Sequence, residues 1–283
     1  MGLCLKFNKI YVEISDICGL ECRFCPITKG KRGIMPLGLF SKIAFECAKF
    51  TKLITFHILG DPLKIKNLNE YLLIAKKYNL KVEITTSGIY LNEFDFLLQE
   101  PIKQVNFSLD AIMEIESNVF REMALSRIFE FCKYKDSLNC DIFINLRIQN
   151  RKNPNHFELK KILKKAFQLN ALEANTRIGK KIIITLKEPF LWSLNDVDSS
   201  NCGFCYGLLS HFGILSNGNV VPCCIDAEGE MILGSLKSQS LEEILNGNRA
   251  FRIRNGFKNH MIIEQKCLKC DYRKRFSKNI ITK

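Results

Sequence analysis

Short apolar runs alternate with longer amphipathic segments over the N-terminal part of the chain. In one such segment Leu68, Tyr71, Leu72 and Ala75 recur at the spacing of one helical face. The apolar runs predict strands at Lys9–Ser15, Leu53–Ile58, Lys81–Thr86, Gln104–Leu109, Asp141–Ile148 and Ala171–Arg177. The amphipathic segments predict helices at Leu37–Phe50, Asn67–Tyr78, Asn92–Leu98, Phe120–Lys135 and His156–Gln168.

A strand followed by a helix, repeated about six times, predicts right-handed βαβ units and a parallel sheet. The expected fold class is therefore α/β. Functional groups of such a sheet belong at the carboxyl ends of its strands. The sequence motifs at these strand ends are for this reason the first candidates for a site.

The pattern changes after about residue 177. Lys180–Lys187 predicts one more strand. Phe212–Leu215 and Asn219–Val221 flank an Asn-Gly pair, which is a strong signal for the turn of a β-hairpin.

Pro189–Ser200 reads as a connector, and a capping box at Ser240 and Glu243 predicts a helix that runs to about residue 254. We expect residues 1–190 to form one domain. Residues 191–283 are expected to form a small cysteine-bearing domain.

Composition sets limits on the kind of protein. The chain has 283 residues, 47% of them apolar, which is enough for a sizeable core. Lysine and arginine exceed aspartate and glutamate by 42 − 29 = 13. This charge is spread along the chain, so it fits a solvated basic surface, and it leaves an anionic substrate, an acidic peptide or RNA open.

Thirteen cysteines in one chain point to metal or redox chemistry. Residues 1–16 have no long apolar core and read as neither a signal peptide nor a membrane span. We therefore expect a cytoplasmic protein without membrane contact, whose clustered cysteines are ligands or catalytic thiols. The cysteines outside the clusters, at Cys4, Cys47, Cys132 and Cys140, are expected to be small core residues.

Cys18, Cys22 and Cys25 lie in a short loop directly after the first predicted strand. Closely spaced thiolates in a loop can hold an iron–sulfur cluster, and three ligands leave one iron open. A structural zinc site has four protein ligands, so this loop alone does not provide one. The remaining interpretation is that these three cysteines are buried and chemically inert.

This CxxxCxxC loop resembles the signature of the radical S-adenosylmethionine (SAM) superfamily, over about the first 150 residues. The resemblance implies a partial (β/α)6 barrel similar to a TIM barrel. It also implies a [4Fe–4S] cluster whose open iron chelates SAM, and an electron donor such as flavodoxin or ferredoxin. Reductive cleavage of SAM then yields methionine and a 5′-deoxyadenosyl radical. Phe24 occupies the position that lies against the adenine.

Further matches follow at predicted strand ends. The Leu-Gly-Asp-Pro segment after the second strand resembles the family's Gly-Gly-Glu-Pro element, with leucine replacing the first glycine and aspartate replacing glutamate. Thr-Ser-Gly after the third strand and Ser-Leu-Asp after the fourth resemble two more SAM-binding elements. The resemblance implies SAM contacts at Gly60, Asp61, Ser87, Ser108, Asp110 and Arg147. Each element alone also fits an ordinary turn or a surface residue.

A second set of cysteines lies near the C-terminus and resembles the shortened SPASM module called twitch. That resemblance implies an auxiliary [4Fe–4S] cluster on Cys205, Cys223, Cys267 and Cys270. Two alternatives remain open: Cys202 could replace Cys205 as a ligand, and Cys224 could replace Cys223. A zinc site formed by the two CxxC pairs at 202–205 and 267–270 is the structural rival.

An auxiliary cluster accepts an electron, so its presence favours a net oxidation. The leading hypothesis is the radical oxidation of a small polar or anionic substrate, and the lack of an N-terminal peptide-recognition domain favours it. The first alternative is modification of a peptide or protein, and the second is a non-catalytic iron–sulfur or zinc binding module. His57 could contact the substrate, but a structural role is favoured for it. Trp192 and Asp226 could approach the pocket without an assigned role, and no catalytic acid or base is assigned.

Overall fold

The structure is a computed structural model that describes residues 5–25, 30–138, 140–149, 154–192 and 201–280. Within these residues the strands form one sheet: β1 Lys9–Val12, β2 Leu53–Phe56, β3 Lys81–Thr86, β4 Ile102–Ser108, β5 Phe143–Gln149, β6 Asn175–Gly179, β7 Ile182–Lys187, β8 His211–Ile214, β9 Asn219–Val221 and β10 Gly234–Ser235. The predicted connector Pro189–Ser200 and the predicted core residue Cys4 lie partly or wholly outside the described residues.

The α-helices of the described residues are α1 Leu37–Ala48, α2 Leu68–Lys77, α3 Leu109–Met113, α4 Asn118–Ser137, α5 Pro154–Ala166, α6 Leu241–Asn246, α7 Asn248–Lys258 and α8 Gln265–Leu268. Short 3₁₀ helices lie at Pro62–Lys64, Asp95–Leu98 and Tyr272–Ile280. None of the helices in the described residues is long and apolar enough to cross a membrane.

The strand order is β10-β9-β8-β1-β2-β3-β4-β5-β7-β6. Neighbouring strands pair in parallel across the set β1, β2, β3, β4, β5 and β7. These six strands with their helices form the predicted partial (β/α)6 barrel, and the carboxyl ends of the strands lie at one edge.

Three sequence predictions are corrected. The run at Ala171–Arg177 predicted the sixth βα strand, but β6 is antiparallel to β7, and β7 takes the sixth parallel place. Residues 92–98 predicted a helix, and the structure has only a 3₁₀ turn from Asp95. The helix predicted from Ser240 to about residue 254 is split at Gly247 into α6 and α7.

The sheet does not end where the second predicted domain begins. β8 pairs in parallel with β1 through four registered residues, and β9 and β10 extend the sheet by antiparallel pairing. The C-terminal hairpin is thus continuous with the barrel sheet. Its far end carries the cysteine-rich segment.

The two faces of the barrel sheet differ in polarity because side chains alternate along a strand. The residues that face the helices are apolar and fully buried: Ile10, Val12, Ile54, Phe56, Val82, Ile84, Val105, Phe107, Ile144 and Leu146. Phe40 of α1 packs edge-on against Phe56, with ring centroids 5.6 Å apart, and so anchors this helix. Cys47 and Cys132 are buried, as predicted.

Candidate active site

The loop that carries the first three cysteines is closed at its base. The Asp16 carboxylate accepts hydrogen bonds from the backbone N–H groups of Arg32, at 2.9 Å, and Gly33, at 2.8 Å. The N–H of Met35 donates to the carbonyl of Ile14 at 2.9 Å. The loop therefore leaves β1 and returns to it, which holds its cysteines above the carboxyl ends of the strands.

A buried carboxylate ties this loop base to two neighbouring strand ends. Glu13 receives a two-pronged contact from Arg32, at 2.9 and 2.8 Å. It also accepts the N–H groups of Leu59, at 3.3 Å, and Ser216, at 3.0 Å. The ends of β1, β2 and β8 are thereby fixed relative to one another.

Cys18, Cys22 and Cys25 all line one central cavity of about 430 Å³ at the mouth of the barrel. The N–H of Cys25 donates to the carbonyl of Cys22 at 3.0 Å, which turns the chain between them. Three thiols on one side of one cavity are the donor set that a cluster with an open iron needs.

The barrel interior below these cysteines is polar. The strand residues that face the cavity alternate with the buried apolar ones: Lys9, Tyr11, Thr55, His57, Glu83, Thr85, Gln104, Asn106, Asn145 and Arg147. TIM-type barrels are usually filled by branched apolar side chains. This interior instead presents polar side chains from the strands to the cavity.

Several of these polar groups hold one another in place. Glu83 accepts from Lys9 at 2.9 Å and from the Thr55 hydroxyl at 2.8 Å. Asn106 accepts from Gln104 at 2.7 Å and from Asn145 at 3.4 Å. The side chains of the wall are therefore ordered before any ligand arrives.

Gly60 occupies a position that needs a glycine. Its φ is +73°, and a Cβ placed there would lie 2.2 Å from the carbonyl oxygen of Ser15. The backbone after β2 thus approaches the backbone after β1 as closely as only glycine permits. This contact brings the predicted SAM-binding segment next to the cysteine loop.

Asp61 is buried, and its carboxylate is fully occupied. One oxygen accepts from the N–H of Leu63, at 3.0 Å, and the hydroxyl of Thr86, at 2.7 Å. The other accepts from the N–H and the hydroxyl of Ser87, at 2.8 and 2.6 Å. Four hydrogen bonds exhaust the usual acceptor sites of a carboxylate, so Asp61 orders the end of β3.

The remaining predicted SAM contacts lie around a side cavity of about 140 Å³, which opens beside the central one. Phe24, Ser108 and Arg147 line both cavities, whereas Asp110 lines only the side cavity. Asp110 accepts from the N–H of Gln149 at 2.6 Å. The guanidinium of Arg147 forms no hydrogen bond or ion pair with another described residue.

Two of the residues without an assigned role do reach the central cavity, and one does not. Trp192 lines it and donates its indole N–H to the carbonyl of Phe24 at 2.8 Å. His57 lines it as well, and burial, followed by the charges of Arg147 and Lys9, lowers the pKa of its imidazole to about 3. The ring is therefore neutral. Asp226 faces the second cavity described next.

A second cavity, of about 80 Å³, is lined by all four predicted auxiliary ligands, Cys205, Cys223, Cys267 and Cys270. Burial raises the pKa of Cys205 to about 11 and raises the pKa values of the other three thiols as well. Metal-free thiols in this site therefore keep their protons, and cluster binding would release them.

Backbone amides support this donor set. The N–H of Gly207 donates to the sulfur of Cys205 at 3.5 Å, and the amides of Tyr272 and Arg273 lower the pKa of Cys270 against the effect of burial. N–H groups aimed at thiolate sulfurs are a usual environment for an iron–sulfur cluster. The residues present therefore fit such a group.

The two alternative cysteines differ in position. Cys202 is exposed and belongs to neither cavity lining, whereas Cys224 lines both the central and the second cavity. Within the described residues, no group of three or more His, Cys, Asp or Glu side chains is arranged to hold a single metal ion. The four predicted ligands surround a cavity.

Residues 205–271 match the SPASM family, an iron–sulfur cluster-binding domain. The GTP 3′,8-cyclase of Moorella thermoacetica is 33% identical over 116 residues, which cover 38% of this chain and 36% of that protein. The S-adenosyl-L-methionine-dependent 2-deoxy-scyllo-inosamine dehydrogenase of Niallia circulans is 31% identical over 94 residues, 31% of this chain and 38% of that protein. The chain thus spans just over a third of the length of these curated relatives.

Solved structures show the same fold over nearly the whole chain. BtrN in complex with AdoMet and 2-DOIA superposes with a TM-score of 0.53 at 18% identity, covering 96% of this chain and 92% of that chain. Streptococcus suis SuiB bound to precursor peptide SuiA superposes with a TM-score of 0.62 at 16% identity, covering 96% of this chain and 71% of that chain.

Taken with the cysteine loop after β1, these likenesses support a radical SAM protein with a C-terminal SPASM module. The family, the fold class and the cofactor classes predicted from the sequence, iron–sulfur clusters and SAM, are confirmed. The ligand residues stay predictions. Sequence reasoning missed the polar inner wall, although the alternation of polar and apolar residues in the strands was a visible signal.

Proposed function

We propose that the chain cleaves SAM reductively and uses the resulting radical to oxidise a small polar or anionic substrate. The proposed ligands of the SAM-binding [4Fe–4S] cluster are Cys18, Cys22 and Cys25. Those of the auxiliary [4Fe–4S] cluster are Cys205, Cys223, Cys267 and Cys270. When bound, the first cluster supplies the electron for SAM cleavage and the second accepts one from the substrate.

One observation carries the proposal. The cavity that the first three cysteines line is the same cavity that the polar barrel wall lines. A radical formed near the cysteines therefore arises beside a space suited to a hydrophilic substrate. The SPASM match adds the second redox site at the adjoining wall.

The protein side chains bind and orient SAM. We assign its adenine to the side cavity, where Phe24 offers an aromatic face, and its ribose to Ser108. Arg147 lines both cavities without a carboxylate partner among the described residues, which suits it to the SAM carboxylate.

The SAM amino group is assigned to the segment at Gly60, Asp61 and Ser87. The Asp61 carboxylate already accepts four hydrogen bonds. We therefore propose that Asp61 positions Ser87. The Asp61 carbonyl accepts the N–H of Lys64 at 3.1 Å, so the ammonium group is assigned to the backbone carbonyls of Gly60 and Ser87. Asp110 does not line the central cavity. We therefore propose that it acts through Gln149, whose backbone N–H donates a hydrogen bond to the Asp110 carboxylate.

The substrate class follows from the wall. Amide and hydroxyl groups from β2, β4 and β5 offer both donors and acceptors, and Lys9 is already neutralised by Glu83. A polyhydroxylated or otherwise hydrogen-bonding small molecule fits such a surface better than an apolar one. The relative from Niallia circulans, a dehydrogenase of 2-deoxy-scyllo-inosamine, acts on a molecule of this kind.

The decisive experiment is anaerobic reconstitution followed by reduction with dithionite in the presence of SAM. We expect about eight irons per chain, from two [4Fe–4S] clusters, and formation of 5′-deoxyadenosine by mass spectrometry. A chain that binds zinc, or that loads iron but leaves SAM intact, would refute the proposal and favour a non-catalytic binding module.

The matched control replaces Cys18, Cys22 and Cys25 together by alanine. We expect this variant to keep about four irons and to form no 5′-deoxyadenosine. Retention of the full iron content would show that these cysteines are not ligands.

Modification of a peptide is the second candidate, because SuiB bound to its precursor peptide shares this fold with a TM-score of 0.62. The two candidates are distinguished by comparing small metabolites and peptides between a deletion strain and its parent. A change confined to one peptide mass would favour the peptide. We further propose that the chain works in the cytoplasm, where thiols stay reduced, and receives electrons from a flavodoxin or ferredoxin.

A further inference from the structure

The central cavity and the auxiliary-cluster cavity share a wall. Four side chains line both spaces, namely Tyr11, Cys224, Ile225 and Tyr272. Any exchange between a substrate and the auxiliary site has to cross this partition. Among the four, only Cys224 is the direct chain neighbour of a proposed cluster ligand, Cys223.

The position of Cys224 is defined by its neighbours in the partition. Its side chain interacts with that of Tyr11, and both residues line the two cavities. It also packs with Tyr11 and Trp192 against a small apolar cluster at the strand ends that includes Ile58 and Val221. Trp192 lines the central cavity but not the auxiliary one, so this packing places the Cys224 side chain against the central cavity as well.

The position of Cys223 is different. It lines only the auxiliary cavity, together with Cys205, Cys267 and Cys270. The backbone beside it is approached closely by Gly207, where a Cβ would lie 3.2 Å from the carbonyl of Pro222 and 3.6 Å from Cys223 Cβ. Cys223 is thus enclosed by the auxiliary site.

We propose that Cys224 is a substrate-contacting thiol of the central cavity, positioned by Tyr11, and not a ligand of the auxiliary cluster. The inference rests on the proposed function, since it assumes that a radical is formed in this cavity. This proposal places the substrate against Cys224, which is joined by a peptide bond to the proposed cluster ligand Cys223. This arrangement gives the electron removed from the substrate a short covalent path, while the proton released with it goes to solvent.

The first test measures iron and the electron paramagnetic resonance spectrum of the reduced, reconstituted protein. Cys224→Ser is expected to retain both clusters with an unchanged iron content, whereas Cys223→Ala loses about four irons. Cys202→Ser, whose thiol is exposed, is the matched control and is expected to keep both clusters. A loss of iron in Cys224→Ser would make Cys224 a ligand and overturn the proposal.

The second test needs no substrate. In heavy water the Cys224 thiol carries deuterium, and a 5′-deoxyadenosyl radical formed beside it takes that atom. A C–D bond then forms, the S–D bond breaks, and dithionite in the assay reduces the thiyl radical that is left. We expect deuterium in the 5′-deoxyadenosine of the unaltered protein, several-fold less in Cys224→Ser, and an intermediate amount in Tyr11→Phe.

The outcomes distinguish a failure of the proposed function from a wrong placement of Cys224. If the unaltered protein forms no 5′-deoxyadenosine, the proposed function fails. If 5′-deoxyadenosine forms but its deuterium content is the same in Cys224→Ser, the function stands and the placement of Cys224 is wrong. A label that survives in Cys224→Ser and disappears in Tyr11→Phe would make Tyr11 the contact and also overturn the proposal.

Discussion

At the scale of single residues, the site depends on backbone approach as much as on side chains. Gly60 sits where the segments after β1 and β2 meet, and both its positive φ and the nearby Ser15 carbonyl exclude a side chain. Asp61, next to it, uses its whole carboxylate to hold the end of β3. These two adjacent residues therefore shape the proposed SAM-binding segment.

Gly60→Ala is expected to destabilise the fold by about 1–3 kcal/mol, because the added methyl group forces a strained φ and a backbone shift. The free energy of unfolding in urea measures this. Gly38→Ala is the matched control, since Gly38 lies in α1 with open space around it, and a helical alanine is favoured over glycine by about 1 kcal/mol. Equal stabilities for the two variants would contradict the account.

His57 makes stability depend on pH. Its folded pKa of about 3 lies below the unfolded value of about 6.5, so its contribution is complete above about pH 6.5 and falls as pH drops toward 3. The slope is at most about 1.4 kcal/mol per pH unit, because a single imidazole differs by at most one bound proton between the folded and unfolded states. We expect the unfolding free energy of His57→Gln to fall less steeply between about pH 6.5 and 4.5 than that of the unaltered protein.

The exposed His260 supplies the comparison for that measurement. His260→Gln removes an imidazole from the surface and leaves the cavity intact. A pH dependence for His57→Gln that runs parallel to that of the unaltered protein would show that His57 is not the buried neutral group described.

At the scale of elements, the C-terminal part of the chain contains short helices, and the start of α6 is defined by local chemistry. Ser240 caps α6 by accepting the N–H of Glu243 at 3.2 Å, and the Glu243 carboxylate accepts the N–H of Ser240 at 2.8 Å. This reciprocal pair was visible in the sequence as Ser-x-x-Glu. The break at Gly247 was not, because the residues on both sides of it are compatible with one continuous helix.

Ser240→Ala is expected to lower the free energy of unfolding by about 0.5–2 kcal/mol, because α6 loses the acceptor for its first amides. Ser240→Asp restores an acceptor at the same place and should recover most of the loss. Urea unfolding of the three proteins is the measurement. An aspartate variant as unstable as the alanine variant would mean that the cap is not the source of the effect.

Strand assignments show where sequence reasoning works and where it stops. β3 was predicted with its observed bounds, Lys81–Thr86, because a Ser-Gly turn follows it directly. The pattern of β6 looked like that of β7, yet only β7 joins the parallel set. An apolar run shows that a strand forms, but the direction of pairing depends on contacts with distant residues.

The candidate site likewise has features that the sequence predicts and features that only the fold reveals. The proposed cysteine ligands could be named from the sequence because of their spacing in the chain, and the structure arranges them around two cavities. The state of Asp61, whose carboxylate is consumed by Thr86 and Ser87, was not, since those partners lie 25 and 26 residues away. The position of Cys224 in a wall between two cavities likewise required the fold.

At the scale of the whole molecule, the two predicted domains share one sheet. β8 pairs with β1 in parallel, and Glu13 bonds the backbone of Ser216 across 203 residues at 3.0 Å. Trp192, the single tryptophan of the chain, joins the connector to the cysteine loop through its bond to Phe24. These contacts connect the C-terminal part of the chain to the end of the barrel that carries the cysteine loop.

The continuous sheet predicts a single cooperative unfolding transition. In the sheet, β1 pairs with β2 on one side and with β8 on the other. Removing the C-terminal part would therefore leave one hydrogen-bonding edge of β1 unpaired. Urea unfolding of the cluster-free chain, followed in parallel by Trp192 fluorescence and by far-ultraviolet circular dichroism, should give coincident midpoints. Fluorescence reports the junction between the cysteine loop and the connector, and dichroism reports all elements. Two separated midpoints would show that residues 1–190 and 191–283 fold independently, and that the pairing of β8 with β1 contributes little to their coupling.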